Sequence, residues 1–224
     1  MQLMHTKDLT LGYHGKTIIQ DCNLAIHEKD YICIVGSNGS GKTTLLKGLL
    51  ELIPAKQGKV IRSHNLEKKH IGYLPQITTL QQNFPASVYE IVASGLLNTK
   101  KIFPILNHQE KQQVLLAMKK LRIDHLYHTS YKELSGGQQQ KVLFARSLCA
   151  TQKILFLDEP ITGLDESSRK EVYQLLNIMH KQEHKTIIMI THNKEEVLPF
   201  ATKIVTINNQ KVYTQTIGEN RYVA

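Results

Sequence analysis

The sequence predicts an α/β fold in which strands and helices alternate around a mostly parallel sheet. Three observations predict it. Tyr31–Val35 and Ile154–Leu157 are short, continuous apolar runs, the pattern of strands buried on both faces. The first run ends at Gly36 and leads through a glycine-rich loop into a helical stretch. From about Ser87 to about Ala150 the apolar period becomes helical, which inserts a helical subdomain into the series.

The remaining elements follow in chain order. Leu3–Leu11 and Thr17–Ile26 read as strands joined by a turn at His14–Gly15. A helix begins inside the glycine loop and runs through Thr44–Leu50; Pro54 and Gly58 then punctuate the chain. Val60–Ile61 and Ile71–Leu74 are strands, and the helical stretch has stops at Pro104 and Gly136–Gly137. Next come helix Ser168–His180, strand Thr186–Ile190, helix Lys194–Phe200, and terminal strands near Ile204–Ile207 and Lys211–Tyr213. No repeat, low-complexity tract or flexible linker divides the 224 residues, so one domain is expected. Its core would be residues 1–76 and 151–224, and its helical subdomain residues 77–150.

Composition excludes several function classes. The chain is 41% apolar and 21% charged, and its longest apolar runs are too short to cross a bilayer. With no export-type N-terminus, the chain is expected in the cytosol, and any membrane role would come through a partner. Cys22, Cys33 and Cys149 are scattered, which argues against a disulfide framework. The net charge of +9 is dispersed and lacks an aromatic-interleaved RNA motif, so no nucleic-acid partner is expected. The pairs His180/His184 and His125/His128 lack the glutamate or cysteine that would complete a zinc site, and read as solvated helix histidines.

Three motifs carry the chemistry. Gly36-Ser37-Asn38-Gly39-Ser40-Gly41-Lys42-Thr43, followed by Thr44, satisfies G-x-x-x-x-G-K-[ST]. Its glycines let backbone N–H groups turn inward onto phosphate oxygens, and the following helix adds its positive end. Lys42 would reach the β- and γ-phosphates of ATP, and the Thr43 hydroxyl would bind Mg2+. Asp158 and Glu159 follow a buried strand, at the sheet end where open α/β sheets place their ligands. Asp158 is placed to hold Mg2+, and Glu159 to act as general base toward the attacking water. The third motif is Leu134-Ser135-Gly136-Gly137-Gln138, a match expected by chance on the order of once in several thousand chains of this length.

With that third motif the sequence resembles, from end to end, the ATP-binding subunits of ABC transporters. The fold class this implies is a RecA-like P-loop NTPase core with an N-terminal antiparallel β-subdomain and an inserted helical subdomain. The resemblance also implies a head-to-tail homodimer, in which Ser135, Gly136, Gly137 and Gln138 of one subunit cover the γ-phosphate held by Lys42 of the other. By the same resemblance Tyr13 stacks on adenine and Gln76 touches Mg2+ or the attacking water. Asp165 belongs to a loop that crosses the dimer interface, and His192 is the switch histidine at the γ-phosphate. Catalysis would rest on Glu159, His192, Lys42 and Gln76; Thr43, Gln76 and Asp158 would serve the metal. Lys29 and Lys141 depart from the family pattern, where glycine and arginine are usual, without touching phosphate.

Such subunits work on the cytoplasmic face of the membrane through integral permease subunits, and indirectly with an extracytoplasmic substrate-binding protein. The helical insertion, with the segment Asn83–Glu90, would receive the permease. That segment, Tyr73–Gln76 and the run Glu133–Lys141 are similar to bacterial zinc and manganese uptake cassettes. Iron-chelate and vitamin importers share the Leu74-Pro75-Gln76 step. A soluble ABC ATPase of ribosomes or DNA would usually carry two cassettes or a coiled-coil insertion. A non-hydrolysing module would be expected to lack Glu159 or His192.

Overall fold

A computed structural model of the chain describes residues 1–76, 85–99 and 106–217. Two sheets organise it. In the first, β1 (Gln2–Tyr13) pairs antiparallel along one edge with β2 (Lys16–Cys22) and β3 (Ala25–His27), and along the other with β5 (Gln57–Arg62). The second contains β4 (Tyr31–Val35), β6 (Ile71–Leu74), β7 (Ile154–Asp158), β8 (Thr186–Ile190), β9 (Lys203–Asn208) and β10 (Lys211–Thr216). Its order is β10-β9-β4-β8-β7-β6, parallel throughout except for the terminal β9–β10 hairpin.

The parallel strands alternate between two cores, as the two-residue period of a strand requires. Tyr31, Cys33, Leu155, Leu157, Ile187 and Met189 face helices α2 (Val88–Ala93), α3 (His108–Lys120), α4 (Gly136–Ala150) and α5 (Glu166–Lys181). Ile32, Ile34, Phe156, Ile188 and Ile190 face α1 (Lys42–Leu49) and the antiparallel sheet. Both faces being covered is why these strands read as unbroken apolar runs. Cys22 lies in the second core, Cys33 and Cys149 in the first, and all three are buried free thiols. No described helix is long and apolar enough to cross a membrane.

Three local expectations need correction. The strand expected over Thr17–Ile26 is two strands, because the chain bulges between them. Asp21 takes a φ of 48°, and Asn23 turns out to bond the Asp8 backbone N–H and carboxylate, each at 3.0 Å. Thr6 fills the gap, donating its hydroxyl to Cys22 O and accepting from Leu24 N, both at 2.8 Å. Second, Gly136–Gly137 does not stop a helix but opens α4. Ser135 Oγ accepts from Gln138 N at 3.3 Å and Gln138 Oε1 accepts from Ser135 N at 2.9 Å, a reciprocal cap that outweighs glycine's poor helix propensity. Third, the helix expected over Lys194–Phe200 is the shorter α6 (Lys194–Val197). Pro104, Asn83 and Phe84 lie outside the described residues.

His180, near the end of α5, gives the fold a pH dependence. Contrary to the expectation of a solvated histidine, it is buried edge-on against Tyr31, with ring centroids 5.4 Å apart, and its Nδ1 lies 3.3 Å from Lys185 O. Burial holds its pKa below the usual imidazole value; the Lys185 carbonyl opposes this and Lys181 adds to it. The unfolded chain therefore binds more protons than the fold as pH drops below about 6.5, so stability falls with falling pH in that window. Thermal melts of His180→Gln should show a flatter dependence of Tm between about pH 5 and 6.5 than wild type. An identical slope would remove His180 as its source.

Candidate active site

The sheet order explains why distant residues meet. β4, β8, β7 and β6 are consecutive neighbours, and each ends in a predicted functional segment: Gly36–Gly41, His192, Asp158–Glu159 and Gln76. All lie at the C-terminal edge of the parallel sheet.

The loop after β4 passes tightly beneath β2. Gly41 has a φ of 106°, and a Cβ there would sit 2.8 Å from Ile18 Cγ2, so only glycine fits. Gly41 also begins α1 without a side-chain cap, and the first amide to bond back is Leu45 N, to Gly41 O at 2.8 Å. The amides of Lys42, Thr43 and Thr44 are thus free of the helix ladder and aligned for an anion. Lys42 Nζ, nearly buried, donates to Gly36 O and Ser37 O at 2.9 Å each, which holds the ammonium across the mouth of the loop. Ser40 N closes a turn on Ser37 O at 3.2 Å.

Asp158 ends β7 and is 1% exposed. Its Oδ1 accepts from the Thr43 hydroxyl at 3.1 Å, while the buried Oδ2 has no protein partner. Burial raises its pKa; the Thr43 hydroxyl opposes this, and the Glu159 charge adds to it. A buried, unserved carboxylate oxygen beside a hydroxyl is a hard-oxygen pair that fits Mg2+, which takes one or two carboxylate ligands and completes its shell with phosphate and water. Gln76 is turned elsewhere: its Nε2 donates to Glu159 Oε2 at 3.3 Å.

Glu159 is the hub of the site. Oε1 lies 2.6 Å from His192 Nε2, and Oε2 accepts from Thr162 Oγ1 at 3.3 Å as well as from Gln76. The β7–β8 register, with Asp158 opposite Ile190, sets His192 beside it. Glu159 also has a φ of 54°, a left-handed conformation that costs a non-glycine residue about 1–3 kcal/mol.

Ten predicted residues line one open cleft of about 410 Å3: Tyr13, Asn38, Gly39, Gly41, Lys42, Thr43, Thr44, Gln76, Glu159 and His192. Ile18 joins them unpredicted, as does Thr162 through Glu159. Ile18 was legible as a strand residue but not as the roof over Gly41. Thr162 could have been found from its place three residues after Glu159, where its N–H closes the turn on Glu159 O at 3.3 Å.

Ser135, Gly136, Gly137, Gln138 and Asp165 are not in that cleft. Ser135 caps α4. Asp165 caps α5, accepting from Ser168 N at 2.9 Å and from its hydroxyl at 2.8 Å, and these bonds hold its carboxyl below the usual range. A Cβ at Gly137 would come within 3.7 Å of Leu164, so the α4 start and the Gly163–Asp165 turn adjoin. A Cβ at Gly136 would meet nothing within 4 Å. Packing within the chain therefore does not demand this glycine pair, and the helix start is left bare toward its surroundings.

Comparison with known proteins agrees with this geometry. The family model of the ABC transporter matches residues 19–162. The ATP-binding protein ZnuC of the high-affinity zinc uptake system of Bacillus subtilis is 36% identical over 209 residues, 92% of this chain and 90% of that protein. A metal-chelate type ABC transporter, as its structure is described, solved in an inward-facing conformation, matches with a TM-score of 0.84 at 28% identity. That match covers 96% of this chain and 84% of that one. A bacterial ABC transporter cassette solved as a dimer has the same fold, with a TM-score of 0.83 at 24% identity over 96% of this chain and 99% of that one.

Proposed function

The chain belongs to the ABC transporter family as an ATP-hydrolysing cassette, and from that membership we propose that it energises the import of a divalent metal ion, zinc before manganese. The cargo reading is carried by the likeness to ZnuC of Bacillus subtilis, which spans nearly the full length of both chains. The importer of a metal chelate is a second reading, favoured by the inward-facing relative.

The site supports a division of labour between two copies. In one copy the free amides at the start of α1 and Lys42 bind the phosphates, with Tyr13 at the open end of the cleft for the base. Mg2+, held by Thr43 and Asp158, would neutralise the charge between β- and γ-phosphates. Glu159 orients the attacking water and takes its proton; His192 donates to Glu159 and Gln76 braces it, so the carboxylate is aimed before substrate arrives. The second copy supplies Ser135–Gln138, whose bare helix start offers N–H donors and a positive end to the γ-phosphate. ATP thereby closes the dimer, because only the triphosphate touches both surfaces.

A groove of about 330 Å3 on the helical insertion, floored by Ile91, Tyr131 and Leu143 and flanked by Glu90 and Arg146, suits a helix of the permease. Work at the cytoplasmic membrane face follows from that docking. A strain without this chain should take up radiolabelled zinc at a small fraction of the wild-type rate. The wild-type chain should restore uptake and Glu159→Gln should not. Unchanged zinc uptake with loss of iron-chelate uptake would transfer the assignment to the second reading, and a chain purified from membranes without any multi-span partner would refute transport.

A further inference from the structure

Glu159 keeps its left-handed backbone only because its surroundings over-determine it. Its own turn supplies little. Thr162 contributes two bonds of 3.3 Å, and Pro160 has no N–H to give. Two carbonyls of the turn are also bonded: Ile161 O accepts from Leu164 N at 3.2 Å, and Pro160 O accepts from Gln140 Nε2 at 2.8 Å. Gln140 is 4% exposed and Pro160 is buried, so this bond is shielded from water and geometrically firm. Gln140 lies on α4, five residues beyond Ser135, on the same rigid helix whose first turn carries the bare glycine pair.

We propose that Gln140 is a positioning residue for hydrolysis: it grips the Pro160–Ile161 peptide, one residue beyond Glu159, and passes any displacement of α4 to the carboxylate. This rests on the reading of Glu159 as the general base. Gln140 is not among the residues that line the cleft, and it acts by setting where the Glu159 carboxylate points. The consequence is a mechanical link within one subunit. When the start of α4 is drawn onto the partner's phosphate, its second turn re-aims the base that serves the subunit's own ATP. Gln139 is the internal contrast. It is 5% exposed, lies on the same turn and donates to Tyr131 O at 3.1 Å, away from the base.

Gln140→Met and Gln139→Met each remove a buried amide that serves a carbonyl while keeping side-chain length, so both should lower Tm. Gln140→Met alone should lower kcat, by about 10- to 100-fold, with KM for ATP within about twofold. Amide exchange over residues 159–164 should quicken in Gln140→Met and not in Gln139→Met. On a Glu159→Gln background, adding Gln140→Met should change turnover no further. Equal kcat for the two methionine variants, or a further loss on that background, would overturn the proposal. The Glu159→Gln variant alone tests the underlying reading: wild-type turnover there would sink the base assignment, while the exchange measurement would still report whether Gln140 holds the turn.

Discussion

Glu159→Gln should bind ATP at least as tightly as wild type and hydrolyse it on the order of 100- to 10,000-fold more slowly, the usual contribution of a general base. The substitution keeps the size of the side chain, and its amide oxygen can still accept from His192. What it loses is the basic oxygen that takes the proton from water. It also removes one negative charge from a cleft that must hold a triphosphate, so affinity has no reason to fall. Because the γ-phosphate then persists, two copies should stay closed around it. Size-exclusion chromatography with Mg2+ and ATP should move the variant to a dimer, while wild type returns to monomer as ATP is consumed. Turnover within about threefold of wild type would assign the proton to another group.

The second large effect is expected at a residue where an added side chain would meet nothing in its own chain. Gly136→Asp puts a carboxylate at the first position of α4, where the backbone is helical and a Cβ meets no atom within 4 Å. Within the chain the change is favourable: glycine leaves a helix, and an acid arrives at the positive end, each worth up to about 1 kcal/mol. Tm should stay constant or rise by about 2–4 °C. Turnover should nonetheless fall by a factor of about 100 to 1,000. A unit charge about 4 Å from phosphate is repelled by about 4 kcal/mol at an effective dielectric near 20. ATP binding by the monomer should be unchanged, since Lys42, Thr43 and Tyr13 are untouched. Equilibrium binding beside steady-state hydrolysis separates the cases. Lost monomer binding would mean that α4 serves its own cleft, and undiminished turnover would mean that it faces no phosphate.

These two residues also mark how far the sequence could be read. Glu159 was legible because β7 is apolar on both faces and the two acids follow it directly, so strand and chemistry announce each other. The same holds for Lys42 after β4 and His192 after β8. The antiparallel strands were harder. One edge of β1 carries both β2 and β3, and the break between them depends on Thr6 reaching across from a residue distant in sequence. Gly136–Gly137 reads as a break with a helix starting after it; Ser135 and Gln138, at the spacing of a capping box, put the pair inside that helix's first turn instead. Ile18 and Gln140 were beyond reach for a different reason. Each acts through a contact with a main-chain segment at least 20 residues away, and neither carries an unusual local pattern.

The separation of the buried thiols into two cores gives the native chain its own clocks. Burial pushes the Cys22 thiol up to about 11 and the Cys149 thiol to about 12, so neither offers appreciable thiolate to a reagent while its core stays closed. Disulfide reagents can then modify each cysteine only during local opening, and the labelling rate at each reads the opening equilibrium of its own layer. Cys22 times the layer between the antiparallel sheet and α1; Cys149 times the layer beneath the helical insertion. Ligand-induced stiffening of the two layers can be followed separately, in the unaltered protein, by mass spectrometry of two peptides.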